Sequence, residues 1–188
     1  MIKKNILITG PPKSGKTRII NNIIRVLRNK NLILAGITCP EIVRKGVRYG
    51  FKIIDIKSGK EGILASVNES NGPRVSKYRV NLFNLEQIGV KALENAIQDD
   101  SHVVVIDEIG KMEFMSQKFI EAVIKLLDSK KPVLGIIAYK NFNPIIREIK
   151  SRNDVMLYIL DRKMNQAARI KIMQEITKRL LLLVRDQK

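Results

Sequence analysis

Gly10-Pro11-Pro12-Lys13-Ser14-Gly15-Lys16-Thr17 is the stretch that orders the rest of the chain. It fits G-x-x-x-x-G-K-[ST] at every fixed position. Gly10 lets the chain leave a strand in a tight turn, and Gly15 lets backbone N–H groups approach an anion. The loop then feeds a helix N-terminus, whose free N–H groups and dipole favour negative charge. Lys16 is placed to reach the β- and γ-phosphates of a nucleotide, and Thr17 to offer its hydroxyl to Mg²⁺. The pattern alone also occurs as an ordinary glycine-rich turn. Here it follows a short apolar strand candidate, Ile2–Thr9, and opens a helix from Ser14 to about Arg28. The apolar residues of that helix, Ile19, Ile20, Ile23, Ile24 and Leu27, recur at three- and four-residue spacing.

Outward from this loop the chain alternates. Leu32–Ile37 reads as a second apolar strand. Residues 38–80 carry turn signals at Tyr49-Gly50-Phe51, Ser58-Gly59, Glu61-Gly62 and Gly72-Pro73 between short β-rich pieces such as Phe51–Ile56 and Gly62–Val67. This segment is too small for a core of its own and is expected to be an antiparallel β-meander inserted in one domain spanning 1–188. Asn84 is expected to cap the next helix with Gln87 as its partner three positions on; the apolar face of that helix is Leu85, Ile88, Leu93 and Ile97. Val103–Ile106 is a β-branched run suited to a strand buried on both faces. A helix at Gln117–Leu127, a strand at Val133–Ala138, a short helix at Pro144–Lys150, a strand at Val155–Leu160 and a closing helix from about Asn165 to Val184 complete the series. Such alternation predicts an α/β fold with a mostly parallel sheet and helices on both faces.

The strand run Val103–Ile106 ends in Asp107 and Glu108. An acid at the carboxyl end of a strand neighbouring the loop strand sits where Mg²⁺ is held, a role that fits Asp107. Glu108 would point towards the γ-phosphate, where a carboxylate orients and deprotonates an attacking water. The pair favours hydrolysis over a nucleotide or nucleoside kinase, which must exclude water and activate a second substrate. Glu113 is expected either beside this site or as an acid at a helix N-terminus.

Composition narrows the alternatives. Cys39 and His102 are the only cysteine and histidine, which excludes an internal disulfide and a zinc site of several Cys and His ligands. No stretch approaches the roughly 18–20 apolar residues needed to span a bilayer, and no signal peptide is visible, so a soluble cytoplasmic protein without membrane association is expected. The net charge of +17 would attract polyanions. The basic residues are scattered, however, and aromatic residues are 5% of the chain. A nucleic-acid-binding module is therefore the less favoured reading. The closing helix reads as core packing, and a monomer is expected.

Three further stretches strengthen the case. They are Gly36-Ile37-Thr38-Cys39-Pro40-Glu41-Ile42 with Gly46-Val47-Arg48-Tyr49-Gly50-Phe51; Gly72-Pro73-Arg74-Val75 with Lys77-Tyr78; and Val105-Ile106-Asp107-Glu108-Ile109-Gly110-Lys111-Met112-Glu113. Together with the phosphate loop, the chain resembles the small P-loop nucleoside-triphosphatases of thermophilic prokaryotes and their cancer-related human homologue, over about residues 5–160. The resemblance implies a RecA-like three-layer P-loop fold. It also implies Mg²⁺-dependent hydrolysis of ATP, GTP, CTP and UTP to the diphosphate, with little base preference. It places nucleotide contacts on Gly10, Pro11, Pro12, Lys13, Ser14, Gly15, Lys16 and Thr17, and on Val103, Val104, Val105, Ile106, Asp107, Glu108, Ile109 and Gly110. The chain departs from the family pattern in two places. Lys13 and Ser14 stand where small residues are common. Asn165 is followed by Gln166 where an arginine is expected, which leaves Arg162 or Arg169 to take that place. Among the remaining arginines, Arg74 is the first candidate for an internal arginine finger and Arg152 the second, ahead of Arg44 and Arg48.

Overall fold

The computed structural model describes residues 3–186. The first strand, β1 (Asn5–Thr9), is buried at every position; the expected start at Ile2 lies outside the described residues. β1 runs parallel to β10 (Val155–Ile159) on one side and β9 (Val133–Ile137) on the other. β8 (Val103–Ile109) pairs in parallel with β9 and with β2 (Leu34–Thr38). The parallel part of the sheet is thus ordered β10-β1-β9-β8-β2. This corrects one expectation: the strand that ends in the acids is not next to β1, because β9 lies between them.

Alternation along each strand builds two cores. Ile6, Ile8, Val103, Val105, Leu134 and Ile136 face α1 (Lys16–Arg28) and α6 (Gln166–Arg185). Leu7, Val104, Ile106, Val133 and Ile137 face α3 (Lys91–Gln98), α4 (Gln117–Asp128) and α5 (Pro144–Ser151). Strands covered on both faces need apolar side chains on both, so these read as continuous apolar runs. α1 buries the five residues that its spacing predicts. α6 buries Ile176, Leu180, Leu183 and Val184. Each fully buried Ile or Leu contributes about 1.5–3 kcal/mol, so these two helices hold the layer beneath the phosphate loop.

The segment 38–80 does fold antiparallel, as β3 (Glu41–Arg44), β4 (Val47–Asp55), β5 (Glu61–Ser66), β6 (Arg74–Val75) and β7 (Tyr78–Val80). It is not set apart from the main sheet. β4 pairs with β2, and the sheet continues through β5 and β7 to β6. Ile53, Leu64, Ala65, Tyr78 and Val80 share a core with Leu85, Ile88 and Leu93. The meander borrows the domain's interior, which is how so small a segment is stabilised.

The helix after it starts earlier than expected. Asn81 is the cap, its side chain accepting from Asn84 N at 2.8 Å. Asn84 lies inside α2 (Leu82–Asn84), and its side-chain amide donates to Ile63 O at 3.0 Å. The capping-box pattern of Asn84 with Gln87 is thus not used, and Asn81 caps the helix three residues earlier. The chain then winds as a π-helix over Leu85–Val90 before α3.

A polar cluster ties the amino-terminal ends of the parallel strands. Arg152 donates to both carboxylate oxygens of Asp154 at 2.8 Å and to Asp128 at 2.7 Å. Asn5 donates to Asp154 and to Leu127 O, both at 3.0 Å. Val155 is paired with Asn5, whereas the phosphate loop follows Thr9 at the other end of β1. Arg152 is therefore a structural residue on the opposite edge and not an arginine finger. Arg152 holds the Asp154 carboxyl below its ordinary range. With a depressed folded-state pKa, this stabilisation is present above the ordinary value of about 4 and is lost as pH falls through the lower folded value. Arg152→Ala is expected to lower the unfolding free energy at pH 7 by about 1–3 kcal/mol. It should also flatten the loss of stability on acidification below about pH 4, as measured by denaturant titration across pH.

Candidate active site

The phosphate loop is shaped by three residues with positive φ: Gly10 at 154°, Lys13 at 64° and Gly15 at 90°. A side chain at Gly10 would put its Cβ 2.4 Å from Leu160 O, in the segment that follows β10. A Cβ at Gly15 would lie 2.7 Å from Nη1 of Arg169. Gly15 is the N-cap of α1; it makes no side-chain capping bond, and the first turn holds no acid. The leading N–H groups of α1 therefore have no side-chain acceptor, the arrangement that receives an anion.

Lys16 donates to Gly10 O at 2.9 Å and Pro11 O at 3.1 Å. Burial lowers its pKa, and the charges of Glu108 and Asp107 oppose that shift. The lysine thus lies within electrostatic reach of both acids, which come from a strand nearly one hundred residues along. Burial and then the charge of Glu108 raise the Asp107 carboxyl to about 7, with Lys16 acting against the shift. Burial likewise raises Glu108. The pairing of β8 with β9 is interrupted between Ile106 and Ile109, around these two residues, and the peptide joining them is cis. β1 and β8 lie two strand spacings apart, about 10 Å, and Thr17 is exposed at the first turn of α1.

Glu113, on a single 3₁₀ turn at Glu113–Met115, is buried behind the pair. Its Oε2 accepts from Gly110 N at 3.1 Å. A Cβ built on Gly110 would be 2.7 Å from Glu108 Oε1 and 3.0 Å from Glu113 Oε2, so both carboxylates converge over this glycine. Burial and then Glu108 raise Glu113 to about 8. Burial and these acids also raise the Cys39 thiol well above its ordinary range, against service as a nucleophile. His102 is a turn residue: its Nδ1 accepts from Ile33 N at 3.1 Å.

Some expected contacts are not brought to the site. Val103, Val104, Val105 and Ile106 are wholly buried in the sheet, so none of them offers a side chain to a ligand at the loop. Ile109 is also fully buried. Arg74 is exposed on β6, at the far edge of the sheet and seven strands from β1. That separation is on the order of 30 Å along the sheet, so Arg74 is not at the phosphate loop. Arg48 pairs with Glu41 at 2.6 Å, and Arg44 lies 3.9 Å over the Tyr49 ring; both act within the meander. The arginines that do reach the loop are Arg162, donating to Pro12 O at 2.8 Å, and Arg169, donating to Ser14 O. Their only signal in the sequence is the departure at Gln166.

This loop, on a buried strand of a three-layer α/β sheet and facing acids from a strand two places away, defines a P-loop nucleotide-binding protein. The sequence profile of the family described as NTPase matches residues 5–177. The chain belongs to that family. It is 46% identical over 159 residues to the nucleoside-triphosphatase THEP1 of Thermotoga maritima, covering 84% of this chain and 87% of that one. It is 36% identical over 156 residues to the nucleoside-triphosphatase THEP1 of Methanothermobacter thermautotrophicus, covering 83% and 86%. Among solved structures, THEP1 of Aquifex aeolicus superposes with a TM-score of 0.76 at 29% identity, over 92% of this chain and 96% of that one. A human cancer-related nucleoside triphosphatase gives 0.75 at 32% identity, over 93% and 96%.

Lys13 adopts a left-handed backbone that costs a side-chain-bearing residue roughly 1–2 kcal/mol. Lys13→Gly is expected to stabilise the fold by about 0.5–1 kcal/mol, read from the denaturation midpoint.

Proposed function

We propose that this chain hydrolyses nucleoside triphosphates to the diphosphate and inorganic phosphate, with Mg²⁺ and with little preference among bases. The observation that carries the reading is Lys16, held on the carbonyls of the phosphate loop while feeling the charge of Asp107 and Glu108.

The donors suit a hard divalent cation. Thr17 offers a hydroxyl and Asp107 a carboxylate. Among the described residues no three His, Cys, Asp or Glu side chains group to hold a metal by themselves. Mg²⁺ is commonly bound by one or two protein oxygens with phosphate and water completing its shell, and Thr17 and Asp107 would hold it in that way. A Mg²⁺ ion held by these two residues would supply charge neutralisation for the phosphates.

The remaining steps belong to the chain's own groups. The N–H groups of the loop and of the first turn of α1 bind the phosphates. Lys16 exchanges Gly10 O and Pro11 O for phosphate oxygen and stabilises the negative charge of the transition state. Glu108 orients a water towards the γ-phosphate and accepts its proton. Glu113, buried behind Glu108, limits the directions in which that carboxylate can turn. The groups gathered here address phosphate, not base, which supports broad base tolerance. Among the described residues no helix is long and apolar enough to cross a membrane.

Phosphate release from ATP, GTP, CTP and UTP should be similar with Mg²⁺ and should vanish with a chelator. Glu108→Gln is expected to slow hydrolysis by at least 10²-fold while nucleotide affinity stays within a few-fold, as measured by phosphate release and calorimetry. Near-wild-type turnover would remove Glu108 from the mechanism, and phosphate appearing only with an added acceptor would make the protein a kinase.

A further inference from the structure

Arg169 lies at the start of α6, within one turn of the cap Asn165. Its guanidinium is directed entirely at backbone carbonyls. Nε donates to Met164 O at 3.0 Å, and Nη2 to Asp161 O at 2.9 Å and Arg162 O at 3.4 Å. Those partners belong to the loop between β10 and α6. Nη1 reaches across to Ser14 O, in the phosphate loop. Arg162, from the same connecting loop, donates to Pro12 O at 2.8 Å.

The geometry of the peptide unit gives these bonds a consequence. In a trans peptide the C=O and the N–H of the next residue point in opposite directions. Ser14 O shares its peptide with Gly15 N–H, and Pro12 O shares its peptide with Lys13 N–H. Drawing the two carbonyls outward turns the two N–H groups the other way. Lys13 needs such a restraint, since its φ of 64° is unfavourable for a residue with a side chain. Gly15 makes the approach of Arg169 possible, because a Cβ there would meet Nη1 at 2.7 Å.

We infer that Arg169, with Arg162, is a positioning residue: its rigid fork sets the direction of the phosphate-loop amides before an anion arrives. The inference rests on the reading of the loop as the triphosphate site. It assigns the work to the shape of the guanidinium. An ammonium carries the same charge but has no planar fork to span both loops. Neither arginine touches substrate through these bonds, so the effect belongs to binding more than to chemistry.

The test uses the full chain with Mg²⁺ and a base-free probe, inorganic tripolyphosphate, titrated calorimetrically. Wild type, Arg169→Ala and Arg169→Lys are compared at a temperature where circular dichroism shows each folded. Arg169→Ala is expected to raise Kd by about tenfold, the loss of one charge-assisted contact, with KM for ATP rising more than kcat falls. Arg169→Lys should remain at least about fivefold weaker than wild type. Wild-type Kd in the lysine variant would assign the effect to charge and overturn the inference. So would an unchanged Kd in a folded alanine variant. If Arg169→Ala does not fold, the lysine variant decides alone. Failure of the wild type to bind both tripolyphosphate and ATP would instead overturn the reading of the site.

Discussion

A phosphate-binding loop works only if its backbone is held where its own hydrogen-bonding groups cannot collapse on one another. In this protein that constraint is met by β1. It is buried on both faces and paired on both edges, so the chain emerges from Thr9 at a fixed point and in a fixed direction. Every group at the working end is positioned relative to that exit. The carbonyl of Leu160, just past β10, leaves no room for a side chain at Gly10, α1 leaves from Gly15, and Lys16 folds back onto the loop carbonyls.

The acids occupy an equally determined place for a different reason. Asp107 and Glu108 sit at the end of a strand whose preceding four residues have no contact with water. Taking carboxylates into such surroundings is costly, and two of them side by side with Glu113 behind raises the cost further. The positive charge of Lys16 offsets part of that cost.

Much of this was legible in the residues. The helical spacing of Ile19, Ile20, Ile23, Ile24 and Leu27 marked α1, and the β-branched run Val103–Ile106 marked a strand with two buried faces, because both patterns follow directly from local geometry. The loop motif and the acid pair carried their chemistry in their residue types. Other features depend on contacts between distant parts and leave no local trace. Nothing in the sequence says that β9 lies between β1 and β8, or that β4 joins β2 and merges the meander into the main sheet. The capping-box pattern pointed to Asn84, whereas the helix is capped by Asn81 and Asn84 donates to Ile63 O instead. Arg74, the first candidate for a finger, stands on the far edge strand, whereas Arg169 reaches Ser14 across 155 positions.

The far end of the sheet has its own logic. A long open sheet exposes a row of unpaired backbone groups, which invites other chains to add on and aggregate. Here the last strand beyond β7 is only Arg74–Val75, preceded by Pro73, which has no N–H to offer, and followed within two residues by Lys77. So short an edge, preceded by an imino acid, carrying one cation and followed closely by another, is a poor template for another strand. Arg74 puts an exposed charge on that edge, and sequence changes that lengthen or neutralise the edge would make it a better template for another strand.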